Sequence, residues 1–138
     1  MISIELPWPS SDLSGHQDGR WRRKAGIVAK HRQWARHAML AAGAGTIAGD
    51  ADIRVHATFY PPDRRTDRVN MPNRLKPYWD GIADALKVND RRFLPSFAFA
   101  EPVKNACVVV QIMPAEFQSF GAVAARVVDE TAKRMETL

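Results

Sequence analysis

Residues 53–60, Ile-Arg-Val-His-Ala-Thr-Phe-Tyr, alternate apolar and polar side chains throughout, and Pro61-Pro62-Asp63 follows at once. Successive side chains of a strand point to opposite faces, so this run predicts a half-buried β-strand. Its apolar face of Ile53, Val55, Ala57 and Phe59 needs a second layer to cover it. Two helical periods are available for that layer. One runs from about Arg22 to Ala42, with Ile27, His31, Trp34, Ala38 and Ala41 on one face and Gly43, Gly45 and Gly49 to stop it. The other spans about Pro72 to Leu86, with Leu75, Trp79, Ile82 and Leu86 inward. Pro77 predicts either a kink in it or a first turn that begins near Lys76.

Shorter signals complete the outline. Residues 2–6 read as a strand ended by Pro7-Trp8-Pro9-Ser10-Ser11, and residues 10–20 as a loop. Residues 96–100 and 106–113 read as two strands forming a hairpin across Glu101–Asn105. Residues 119–135 read as a final amphipathic helix with Phe120, Val123, Val127 and Val128 inward. The expected fold is α/β (α+β): a mixed four-stranded sheet packed with helices, in the order β-α-β-α-β-β-α. A length of 138 residues and a hydrophobic fraction of 46% fit a single domain over residues 1–138.

The formal charge is +5 and the isoelectric point about 9.8, which favours a polyanionic partner such as nucleic acid. Arg20, Arg22, Arg23, Lys24, Lys30, Arg32 and Arg36 occupy a stretch with no acid between Asp18 and Asp50. This run reads either as a phosphate-binding surface or as a solvated helix face. Arg64, Arg65, Arg68 and Arg74 form a second basic group, and Arg91 and Arg92 follow Asp90. Trp8 and Trp21 flank the basic loop and read equally as base-stacking platforms or as core. His31 reads as a satisfied core histidine, His16 and His37 as surface residues, and Cys107 as a buried small hydrophobe. One cysteine excludes an internal disulfide and a Cys-rich zinc site. The N-terminus has no signal-peptide pattern and no apolar run approaches the ~20 residues of a membrane span, so the expected location is the cytoplasm, with no membrane partner.

Within this basic chain lies an acidic set: Asp67, then Lys76, Asp80 and Asp84 at helical spacing of four, then Asp90. Carboxylates beside basic surface suit a divalent cation acting on a phosphodiester. The ion activates water and neutralises charge, and a nearby lysine stabilises the crowded phosphorus. Spacing alone leaves open that Asp80 and Asp84 are solvated helix acids and Asp90 a turn residue. Several rivals are excluded. The chain has no Asp/Glu-x-Lys triplet of restriction-type nucleases, no Gly-x-x-x-x-Gly-Lys loop, and no His-x-Glu with a cysteine pair.

Taken together, these motifs resemble the RusA family of Holliday-junction resolvases. Leu6-Pro7-Trp8-Pro9-Ser10-Ser11 is similar to that family's N-terminal Leu-Pro-x-Pro-Pro-Ser. Arg64-Arg65-Thr66-Asp67-Arg68-Val69-Asn70, Lys76, Asp80-Gly81-Ile82 and Asn89-Asp90 are similar to its central motif and acidic pair. The resemblance implies a prophage-type homodimeric endonuclease, dependent on Mg²⁺ or Mn²⁺, that resolves branched DNA by paired nicks in recombination and repair. It implies catalytic roles for Asp67, Lys76 and Asp90, and metal ligation by Asp67, Asp80 and Asp90 with Asn70. DNA contacts are expected from Arg22, Arg23, Arg32, Arg36, Arg64, Arg65 and Arg68. Val69 stands where the family has a second aspartate, and Asn89 reduces the acidic pair. Either Asn70, Asp80 or Asp90 compensates, or the protein is a catalytically weakened relative that binds structured DNA without cutting it.

Overall fold

A computed structural model describes residues 1–13 and 21–113, except the side chain of Trp21. The expected helix at 119–135, most of the 10–20 loop, Arg20 and His16 lie outside the described residues. The alternating run forms β2 (Ile53–Tyr60) after β1 (Ile2–Pro7) and α1 (Trp21–Ala41). It is followed by α2 (Lys76–Leu86), β3 (Phe93–Phe99) and β4 (Cys107–Met113). As the alternation requires, Ile53, Val55, Ala57 and Phe59 are all buried.

The sheet order is β1-β4-β2-β3. β4 lies antiparallel to both neighbours, with Val110 opposite Ile4 on one side and Ala57 on the other. β2 and β3 are parallel. Three strands therefore point one way and β4 runs against them, which makes the sheet mixed, as expected. The inward residues of every strand join Ala35, Met39, Leu75, Tyr78, Ile82 and Leu86 in one core, so both helices cover the same face.

The expected hairpin is not formed. β3 begins at Phe93, earlier than expected, and pairs with β2 across the α2 crossover; β2 separates it from β4. The connection arches over the end of β2, where the N–H of Ala100 donates to Phe59 O (2.9 Å) and that of Val103 to Pro61 O (2.9 Å). Composition accounts for the placement. β4 is apolar on both faces and suits an interior position, whereas Pro95 has no N–H to donate and suits an edge strand.

Helix ends follow local chemistry. Gly43 takes a left-handed φ of 80° at the end of α1, and the N–H groups of Gly43 and Ala44 close back onto Leu40 O and Met39 O. Ala41, expected inward, is exposed; the buried line of α1 is His31, Ala35 and Met39. Residues Met71–Leu75 form a 3-10 turn, and α2 proper starts at Lys76 with Pro77 in its first turn, where no amide donor is required. The N–H of Lys87, a non-glycine residue at φ 55°, caps α2 on Ala83 O and Asp84 O. Among the described residues, no helix is long and apolar enough to cross a membrane.

Candidate functional site

α2 crosses α1 at Gly81. A Cβ there would lie 2.1 Å from the carbonyl oxygen of Arg32 and 2.9 Å from the Cβ of Ala35, so only a hydrogen permits this approach. The crossing sets the first turns of α2 beside the basic helix. One face of α2 then carries Lys76, Asp80 and Asp84 at successive turns.

These three residues do different things. Lys76 Nζ donates to Asp80 Oδ1 at 3.0 Å and to Asp90 Oδ2. Asp90 opens the 3-10 turn after α2, which Asn89 caps by accepting the N–H of Arg91 at 3.0 Å. The hydrogen bonds to Asp90 and then Asp80 raise the affinity of Lys76 for its proton, and Lys76 in turn holds the Asp90 carboxyl below its ordinary range. Asp84 instead takes the Arg32 guanidinium in a two-point contact, 2.6 Å from Nε and 2.8 Å from Nη2. That bond lowers the Asp84 pKa and raises that of Arg32.

Asp67 is held elsewhere. Its Oδ2 accepts Asn70 Nδ2 at 2.7 Å, and its Oδ1 accepts the backbone N–H groups of Val69 (3.2 Å) and Asn70 (3.4 Å). It is thus the turn-forming residue of an exposed loop. The side chain of Val69 is 86% exposed. The four expected ligands divide into two pairs, Asp67 with Asn70 and Asp80 with Asp90. Among the described residues, no three His, Cys, Asp or Glu side chains form a group that could hold a metal ion. The Asp80–Asp90 pair nevertheless suits a hard cation. It already holds one, the Lys76 ammonium, and Mg²⁺ keeps several waters and needs only one or two carboxylates.

The basic residues also separate by role. Arg32 is engaged with Asp84, Arg64 with Glu101 at 2.8 Å, and Arg23 approaches Asp12 at 3.6 Å. Arg22, Arg36, Arg65 and Arg68 are exposed. Arg92 is not part of a basic surface. It is only 8% exposed and donates to the carbonyls of Ala51 (2.8 Å), Ala48 (3.3 Å) and Ile47 (3.5 Å), stitching the loop before β2 to the start of β3.

His31 is a core residue, as expected. Its Nδ1 donates to Ile27 O at 2.8 Å, its Nε2 accepts the N–H of Ser10 at 3.2 Å, and its ring packs against Trp34 and Tyr78. Tyr78 adds a hydrogen bond from its hydroxyl to Pro7 O at 2.6 Å, and burial pushes its pKa up. The Pro-Trp-Pro-Ser segment is thereby tied to both helices. Trp8 is half-buried, with its ring edge on Phe59. His37 is exposed as expected, and Cys107 is half-buried rather than buried. The hydrogen bond of Tyr78 and the close approach at Gly81 depend on partners more than forty residues away, which local sequence does not show.

No family model matches the chain. It is 40% identical over 117 residues to an uncharacterized protein of Xylella fastidiosa (strain Temecula1), an alignment covering 80% of this chain and 74% of that relative. The chain belongs to the same protein family as that relative.

Proposed function

We propose that this protein is a RusA-like endonuclease that binds branched DNA and nicks it with the help of Mg²⁺ or Mn²⁺. The observation that carries the reading is the meeting of Lys76, Asp80 and Asp90. The resemblance to the RusA family implies a catalytic lysine at Lys76 and metal ligands at Asp80 and Asp90, and Lys76 touches both carboxylates although Asp90 is fourteen residues away. A divalent cation on the two carboxylates would supply an activated water and charge neutralisation at the phosphate. The chain's own part is to fix Asp80 on a rigid helix, to fix Asp90 on a capped turn, and to bring a protonated amine beside both. Exposed Arg65 and Arg68, on the loop before α2, and Arg36, one turn beyond Arg32 on α1, are suited to phosphate contacts. Two nicks across a four-way junction need two such sites, which a two-fold dimer provides, so the working particle has about twice the 15.5 kDa chain mass. A cytoplasmic location goes with this role.

A second reading has its own support. Val69 presents an exposed methyl surface where the resembled family has a second aspartate, and the described residues contain no three-acid group. On that reading the protein binds structured DNA without cutting it. A synthetic four-way junction separates the two. Endonuclease function predicts Mg²⁺- or Mn²⁺-dependent nicks that fall by about a hundredfold or more in Asp90→Asn, with junction binding retained. Tight, junction-selective binding without nicks in either metal would favour the second reading. Equal, weak binding to junction and linear duplex would remove both.

A further inference from the structure

The proposed metal pair is already filled by a residue of the chain itself, and the inference drawn from this rests on the endonuclease reading. Its two carboxylates are anchored through the backbone: Asp80 lies inside α2 and Asp90 on the turn that Asn89 caps. Their side chains are only 26% and 33% exposed. Lys76 differs from both. It stands at the first position of α2, its side chain is 64% exposed, and its charge is carried on a flexible four-carbon stem. Of the three groups, the ammonium is the one that can leave without moving backbone.

We propose that Lys76 is an internal counter-ion that competes with a divalent cation for Asp80 and Asp90. Without metal, Lys76 closes the pair. With metal bound, a second positive charge at the same carboxylates is repelled, and Lys76 swings outward to where a substrate phosphate would lie. The lysine thus restrains metal loading, and metal loading makes its charge available to DNA. Asp84 does not relieve this competition, because Arg32 occupies both of its oxygens.

The test measures cation binding in the intact protein, with no DNA present. Free Mn²⁺ is followed by electron paramagnetic resonance during titration of the wild type, Lys76→Met, Lys76→Gln and, as a charge-matched control, Lys104→Met on the exposed β3–β4 connection. Removing one competing charge a few ångströms from the pair should tighten Mn²⁺ binding on the order of tenfold in both Lys76 variants. Lys104→Met should change it by less than about twofold, since Lys104 is exposed and is a partner of neither carboxylate, so its charge acts on them only through solvent and salt. Unchanged or weaker binding in the Lys76 variants overturns the proposal, and so does equal tightening in Lys104→Met. Junction nicking is scored separately. Nicking by the wild type with no tightening in the Lys76 variants rejects the competition and keeps the endonuclease reading. Tightening without any nicking keeps the competition and rejects that reading.

Discussion

At the scale of single residues, the protein shows how one side-chain type serves unlike purposes. Asp67, Asp84 and Asp90 are all partly solvated carboxylates of one basic chain. One shapes a loop, one receives an arginine from another helix, and one shares a lysine. His31 is bound on both ring nitrogens in the neutral form only, since Nε2 must accept from Ser10 while Nδ1 donates. Burial is the largest influence on it and lowers its pKa from 6.5, with Lys30 acting in the same direction. The sign follows. The unfolded chain takes up the proton first as pH falls through about 6.5, so His31 contributes no pH dependence above that value and a progressive loss of stability below it. Denaturant midpoints should fall between pH 7.5 and pH 5.5, and the fall should be smaller in His31→Gln. Identical pH profiles for the two proteins would show that another group governs acid stability.

At the scale of elements, the helix crossing is the most sensitive contact. Gly81→Ala adds a methyl group that meets a backbone carbonyl at 2.1 Å, which no rotamer change can relieve. The helices must separate. The expected loss is about 2 kcal/mol, after the ~1 kcal/mol by which alanine favours a helix over glycine is set against overpacking. A thermal midpoint equal to or above the wild type's would contradict the close approach of α1 and α2. The far end of α2 gives the opposite expectation. Lys87 sits at φ 55°, where a Cβ is disfavoured, so Lys87→Gly should stabilise by ~0.5–1 kcal/mol in equilibrium unfolding. The two glycine predictions have opposite signs for one reason: backbone geometry at each site decides whether a side chain is tolerated.

At the scale of the whole molecule, excess positive charge is distributed unevenly between structure and availability. Arg92 is committed to backbone carbonyls and Arg32 to Asp84, whereas Arg65 and Arg68 stand exposed on the loop that leads into α2. On the endonuclease reading proposed above, junction affinity should fall with salt, and replacing Arg65 and Arg68 together by alanine should flatten the plot of log affinity against log salt by about 1.8, two lost contacts at ~0.9 each. Arg32→Ala should leave that slope unchanged and lower stability by about 0.5–1 kcal/mol, the value of a well-oriented but half-exposed ion pair. A salt slope that responds to Arg32 and ignores Arg65 and Arg68 would reverse this division of roles.

What the chain determined by itself is what short-range periodicity encodes. Alternation in Ile53–Tyr60 defined β2 and its buried face, glycine at 43 ended α1, and Pro77 marked the true start of α2. The i, i+4 spacing of Lys76 and Asp80 was sufficient for their contact, because one helical turn brings such residues together. Strand order was not legible in this way. Residues 96–100 and 106–113 carry the local signature of a hairpin, yet β2 lies between the strands β3 and β4 that they form. Pairing is chosen by which strand best fills the interior and which crossover the preceding helix permits. Nor could spacing reveal that Arg32 would bind Asp84, fifty-two residues on. Tertiary structure also divided the expected acidic cluster, giving Asp67 to its own loop and Asp80 and Asp90 to Lys76. Local sequence places carboxylates on a turn or a helix face, and only the packing of α2 against α1 and the turn before β3 decides which of them meet.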